Sequence, residues 1–308
     1  AEIMEIVDEV TVLRDGKRVG SRRLDGTVTR DELTRMMVGR DVLFQFPPVE
    51  KEPGGVKFAF HDLCAKNDKG LPALKNVSLE IREGEILGLA GVDGNGQKEL
   101  CEVLTGLRRA DAGTLTLNGE NVTNLTPRGY IDRKISHIPE DRHTTGLALD
   151  WSLKRNLVLK SFRTPPYAKY GLMQLKAIDA FWKRAKDEYQ IKAIDGDETA
   201  RALSGGNQQK VILAREIDGD PEVLIANQPT RGLDVGAAEY VRGKLLEARN
   251  KGAAVLVVSA DLEELLQISD RIAVIYGGEI MGILPRSADT YAIGALMMGK
   301  RQEVAANE

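Results

Sequence analysis

The stretch EILGLAGVDGNGQKELCEVLTGL, from Glu85 to Leu107, constrains the fold more than any other part of this chain. Its opening, EILGLAGV, is a short apolar run with the character of a buried strand. It feeds a glycine-rich turn, Gly91-Val92-Asp93-Gly94-Asn95-Gly96, and then the helix-like QKELCEVLTGL. Strand, glycine turn and helix in that order place bare backbone N–H groups and the positive end of a helix where a phosphate can approach. Two further continuous apolar runs, EVLIANQPT and AAVLVVSA, read as central parallel strands covered on both faces. VKFAFHDLCA and LKNVSLEIREGE read instead as antiparallel strands, the second with alternating apolar positions. From about Pro139 to Ala202 the patterns turn helical and interrupt an otherwise alternating α/β plan.

Composition excludes several classes. At 308 residues, 42% hydrophobic and 29% charged, the chain matches ordinary globular proteins and can bury one large core or two modest ones. A net charge of −3 offers no broad basic face, so no nucleic-acid partner is expected. The longest apolar run near the end, roughly Ala253 to Ala260, is far shorter than the ~20 residues of a membrane span. Cys64 and Cys101 sit in no metal-like spacing, and His61, His137 and His143 make no ligand pattern, so no metal site is expected on this chain.

A second motif lies at Leu203-Ser204-Gly205-Gly206-Asn207-Gln208-Gln209-Lys210, followed by the apolar-periodic VILAREI. Ser-Gly-Gly at a helix start lets a hydroxyl, backbone N–H groups and the helix dipole come close to an anion. With the glycine turn and the QPTRGLD segment, this run resembles the signature of ATP-binding-cassette (ABC) proteins. The resemblance implies an α/β fold of the ABC-type P-loop NTPase kind. Such a fold has a RecA-like core, a small antiparallel β subdomain and an inserted helical subdomain, here about residues 141–199.

Set against that family, the phosphate loop has lost its charges. Gly91, Gly94 and Gly96 remain, but Gln97 stands at the lysine position and Lys98 at the metal-binding hydroxyl position, ahead of Glu99. A lysine one residue late on a helix points about 100° away, so Lys98 is not expected to substitute. Asn227 and Gln228 replace the Asp-Glu pair that orients Mg²⁺ and the attacking water, and Ala260 replaces the switch histidine. Glu140 occupies the usual glutamine position, and no aromatic lies between Lys66 and Pro72 to stack on adenine. Phosphoryl transfer is almost wholly electrostatic positioning. This chain alone is therefore expected to hydrolyse little or no ATP, while weak binding through the glycine loop stays open.

The other half of the family's machinery is kept. Ser204, Gly205, Gly206, Gln208 and Asp234 match the signature and the aspartate loop, which in the family complete an ATP held by a partner domain. That partner is expected on the same polypeptide, because the chain repeats itself. Glu5 to Gly20 aligns with Gln267 to Gly282, and MMVGR from Met36 matches LMMGK from Leu296. Residues 1–45 thus read as the tail of a preceding ABC domain, 46–55 as a linker and 56–308 as a second, complete nucleotide-binding domain. PEDRHTTGLALDWSLKRNLVL, SGGNQQKVILAREI and QPTRGLDVGAAEYV resemble the tandem ATPase subunits of bacterial carbohydrate-type importers, and the Ala-Asn-Gln-Pro-Thr variant resembles those for nucleosides. The resemblance implies ATP as ligand with Mg²⁺ in the partner-domain site. It also implies transmembrane permease subunits, an indirect solute-binding lipoprotein, and a peripheral place on the cytoplasmic face of the membrane. Two alternatives stay open: a regulatory domain that binds nucleotide without turnover, and a ribose- or galactose-type importer subunit.

Overall fold

The apolar runs become the middle of a six-stranded sheet. In the computed structural model, which describes residues 4, 6–14, 17–38 and 52–300, its order is β14-β13-β5-β12-β11-β8. Here β5 is Ile86–Ala90, β8 is Ile135–Ile138, β11 is Val223–Asn227, β12 is Ala254–Ser259, β13 is Arg271–Tyr276 and β14 is Glu279–Pro285. All neighbours run parallel except the β13–β14 pair. Every residue of β5, β11 and β12 is buried, as in strands covered on both faces.

Against one face lies a four-stranded antiparallel sheet, β4-β3-β6-β7, with β3 at Val56–Lys66, β4 at Pro72–Arg82, β6 at Ala112–Leu117 and β7 at Glu120–Asn121. Phe58, Phe60, Leu79 and Ile81 from this sheet pack with Leu87, Leu89 and Leu100 in one apolar core. A second core, with Ile212, Leu224, Val255 and Val274, carries helices α6 (Gly205–Ile217) and α7 (Val235–Asn250) on the opposite face.

The expected helical insert is more mixed than its sequence suggests. It holds a five-residue π-turn at Arg142–Gly146, helix α4 at Leu153–Leu157, a small hairpin of β9 (Ala168–Lys169) and β10 (Leu172–Met173), and helix α5 at Leu175–Glu188. Leu153 is fully buried and Tyr167 packs its ring 5.5 Å from Phe181, as core residues should. Trp151 departs from that expectation and stays 47% exposed.

The internal repeat has a structural counterpart. β1 (Glu9–Arg14) and β2 (Lys17–Arg23) form an antiparallel hairpin that precedes helix α1 (Arg30–Val38), just as β13 and β14 precede α9 (Thr290–Met297). Both hairpins break register at the aligned place, Val12/Leu13 in one and Val274/Ile275 in the other. Gly20 faces Val12 and crowds Met36; Gly282 faces Val274 and lies against Leu296. Much of the expected linker, residues 46–51, falls outside the described residues.

Candidate nucleotide cleft and signature edge

Sheet register brings the cleft together. Ala90 pairs with Ser259 and Val258 with Asn227, so Gly91, Ala260 and Gln228 leave the sheet along one carboxyl edge. Open α/β sheets take their ligands at that edge. A cleft of about 650 Å³ opens there, lined by the glycine turn together with Lys75, Glu140, Asn227, Gln228 and Arg231. The turn is one that needs glycine: Gly96 has φ 104°, and a Cβ on it would meet the Ala73 carbonyl oxygen at 2.6 Å. Helix α2 (Gln97–Leu104) starts on Gly96 with no side-chain cap, so its first N–H groups point unsatisfied into the cleft.

Gln97 then changes what the turn can offer. Its Oε1 accepts the Asn95 backbone N–H at 2.9 Å and its Nε2 donates to the Val92 carbonyl at 2.9 Å. The side chain is buried inside the turn and uses one of the N–H groups that a phosphate loop would present. Asn95 tightens the lock: its Nδ2 donates to the Val92 carbonyl at 2.8 Å, and its Oδ1 accepts the Gly277 N–H at 2.7 Å. The cradle forms, but it is partly filled by its own chain.

No cation replaces the missing one at that point. Lys98 turns to the surface, 3.2 Å from Asp68 and 3.8 Å from Glu102, and Asp68 holds its ammonium above the usual lysine range. Glu99 adds a carboxylate to the first turn of α2 beside the space a phosphate would need. Asn227 is buried, and Gln228 bridges the edge, its Nε2 reaching Asp93 Oδ1 at 3.5 Å and its Oε1 accepting the Ala260 N–H at 3.3 Å. Glu140 is taken by an ion pair with Arg231. A phosphate still fits at the uncapped start of α2. Mg²⁺ does not fit, because the positions that would hold it carry an ammonium and two amides and the acid beside them is already paired.

The signature edge differs in kind. Ser204 is the N-cap residue of α6 yet makes no capping hydrogen bond, whereas Thr126 and Ser152 cap α3 (Pro127–Asp132) and α4 through their hydroxyls. Instead Asn207 Nδ2 donates to Ser204 Oγ at 3.0 Å, and Asn207 Oδ1 accepts the Lys192 N–H at 2.8 Å. Ser204 is thereby left with its hydroxyl proton to give. Gly205 has no positive φ, and a Cβ there would meet only Arg142 Nη2, at an ordinary 3.6 Å. Neither backbone conformation nor packing requires glycine at 205, and without a side chain the backbone there is open to close approach.

Asp234 sits beside this turn, its Oδ2 3.8 Å from where a Gly206 Cβ would be, and caps α7 by accepting the Ala237 N–H at 2.8 Å. Gln208 is placed differently from Ser204 and Gly205. It is buried on the inward face of α6, with Nε2 donating to the Ala200 carbonyl at 3.1 Å and Oε1 3.0 Å from His143 Nε2. Both ends of its amide are used, so it fastens α6 to the π-turn. Sequence reasoning also passed over Asn95, Lys75, Arg231 and Arg142. The first three line the cleft and the last lies at the signature turn. Only Asn95, inside the glycine turn, carried a sequence signal that could have found it.

Comparison with known proteins places this geometry. Residues 74–231 match the profile of the family described as ABC transporter. The guanosine import ATP-binding protein NupO of Bacillus subtilis strain 168 is 47% identical over 97% of this chain and 59% of its own length. The glucose import ATP-binding protein TsgD13 of Haloferax volcanii is 44% identical over 97% of this chain and 54% of its own. This chain thus spans little more than half the length of the curated relatives it matches. Among solved structures, a nucleotide-free ATP-binding cassette from an ABC transporter superposes with a TM-score of 0.66 at 21% identity, covering 82% of this chain and 100% of the other. The fold is that of the ABC cassette.

Proposed function

The chain belongs to the ABC transporter family, and from that premise we propose that it is the second ATP-binding half of a bacterial importer's tandem ATPase subunit. Its own cleft is degenerate, and its signature edge completes an ATP site on a preceding domain of the same polypeptide. One contrast carries the reading: the cleft lacks the lysine, hydroxyl, acids and histidine at Gln97, Lys98, Asn227, Gln228 and Ala260, while Ser204, accepting from Asn207, keeps its hydroxyl proton to donate at the uncapped Gly205–Gly206 helix start. The repeated hairpin-and-helix unit supports the tandem arrangement, with residues 1–45 as the tail of the first domain and 56–308 as the second.

ATP and Mg²⁺ held by the preceding domain would supply the reacting phosphate. This chain's own residues bind and orient it: the Ser204 hydroxyl and the first N–H groups of α6 donate hydrogen bonds to its oxygens, and Asp234 braces the turn. Permease subunits, and through them a solute-binding lipoprotein, are the partners, on the cytoplasmic face of the membrane. Similarity to the guanosine import protein favours nucleosides as solute, and similarity to the glucose import protein keeps sugars as the second reading. No residue described here would touch the solute.

The test is ATP hydrolysis by the full-length protein carrying Ser204→Arg or Gln228→Ala. Ser204→Arg abolishes turnover and Gln228→Ala leaves it unchanged. Unchanged activity in Ser204→Arg, or loss in Gln228→Ala, sinks the division of labour.

A further inference from the structure

Arg142 sets a strongly basic side chain against the signature turn. It opens the π-turn Arg142–Gly146, whose N-cap Asp141 accepts the His143 and Thr144 N–H groups. His143 Nε2 lies 3.0 Å from Gln208 Oε1, so this turn is pinned to α6 by a side-chain contact. The arginine's Nη1 donates to the Arg231 carbonyl at 2.7 Å. Its Nη2 lies 3.6 Å from the position of a Gly205 Cβ and 3.5 Å from that of Gly232. A side chain at either glycine would stand against the guanidinium.

What this arginine lacks is an anion. Arg108, Arg184, Arg201, Arg215, Arg231 and Arg271 each sit within 4.0 Å of a carboxylate. Among the described residues no carboxylate comes that close to Arg142, and its buried Nε has no hydrogen-bond partner. Desolvation holds its pKa below the usual arginine range, with Asp141 only partly offsetting it. A half-buried guanidinium with idle donors is costly unless an anion arrives to meet it. It stands between Gly205 of the signature turn and the Arg231–Gly232 backbone; the Arg231 side chain lines the chain's own cleft, and Arg142 does not.

We propose that Arg142 belongs to the signature edge, its guanidinium supplying positive charge to the terminal phosphate that Ser204 and the Gly205–Gly206 backbone meet. The proposal rests on the reading of this edge as serving a nucleotide held by the preceding domain. It assigns to this half a cation working in trans, although the cation of its own phosphate loop is gone. Planar donors of this kind match phosphate oxygens in pairs, which an ammonium cannot do.

The experiment is steady-state ATP hydrolysis by the full-length protein carrying Arg142→Ala, Arg142→Lys or Ser204→Arg, with guanidinium ion added to the alanine variant at millimolar concentration. Arg142→Ala should lower kcat at least about 100-fold with KM for ATP changed less than about threefold. Guanidinium ion should restore part of the loss, and Arg142→Lys should retain intermediate turnover. Full kcat in Arg142→Ala beside an inactive Ser204→Arg overturns this assignment and leaves the trans-acting edge standing. Loss of kcat with a lowered melting temperature and no guanidinium rescue also overturns it, because the role is then structural. Activity in Ser204→Arg would fail the underlying reading itself, and this assignment with it.

Discussion

Gly96 and Gly205 each open a helix that no side chain caps, but they are glycine for different reasons. At Gly96 the backbone is left-handed, and a Cβ would strike the Ala73 carbonyl oxygen at 2.6 Å. At Gly205 the conformation is ordinary and a Cβ would meet only a guanidinium tip at 3.6 Å. The first glycine is held by the architecture; on the reading proposed here the second serves the nucleotide that approaches it. A phosphate loop can thus keep its shape after its chemistry has gone, because β4 packs directly against the turn. In the signature turn only Gly205 stands clear of such contacts; a Cβ at Gly206 would press on the Ala237 Cβ at 3.2 Å.

The contrast can be broken most sharply at Ser204. Ser204→Arg should cut ATP hydrolysis by the full-length protein at least about 100-fold with an unchanged melting temperature, since the hydroxyl caps nothing. Gly205→Ala should behave alike in kind: no loss of stability in thermal melting, but a reduced turnover number. Gly96→Ala should do the reverse, costing about 1–3 kcal/mol of stability through strain and clash. Turnover per folded molecule of the full-length protein should then stay near normal. A Gly205→Ala variant that unfolds while Gly96→Ala melts normally would invert the comparison.

The filled cradle gives a smaller effect. Gln97→Lys should return a cation to the loop and strengthen ADP binding to this chain by about tenfold or more, measured by calorimetry. An unchanged affinity would mean that the Asn95 and Glu99 arrangement, and not the lost charge, limits binding. A pH effect on stability lies outside both edges, at His137 in β8. Burial pushes the His137 imidazole down to about 4, and Lys160 adds to that push. The unfolded chain therefore takes up a proton near pH 6.5 that the folded one refuses. Stability should fall as pH drops from about 6.5 towards 4, by roughly 2 kcal/mol at pH 5. His137→Phe should flatten the melting-temperature profile over that window.

Much of this architecture was legible because it rests on patterns with a period. Continuous apolar runs marked β5, β11 and β12, and the aligned repeat pointed to a second pair of strands with a closing helix; the register break that the two hairpins share was not legible there. The two-residue strands β9 and β10 escaped, being too short to carry a period. Within the site, residue types gave the lost charges at Gln97, Lys98, Asn227, Gln228 and Ala260. They did not give directions. That the Gln97 amide turns back to hold Asn95, that Gln208 turns inward to His143, and that Arg142 lies on Gly205 all depend on long-range packing. Arg142 and Gly205 are far apart in the chain, and nothing local to either announces the other.

The most direct measurement is Mg²⁺-dependent phosphate release from ATP by this 308-residue chain alone, set beside the full-length protein. The account predicts release indistinguishable from a protein-free blank for the isolated chain, with ready turnover by the full-length protein that Ser204→Arg removes. Sustained turnover by the isolated chain, at a rate comparable to the full-length protein, would contradict it.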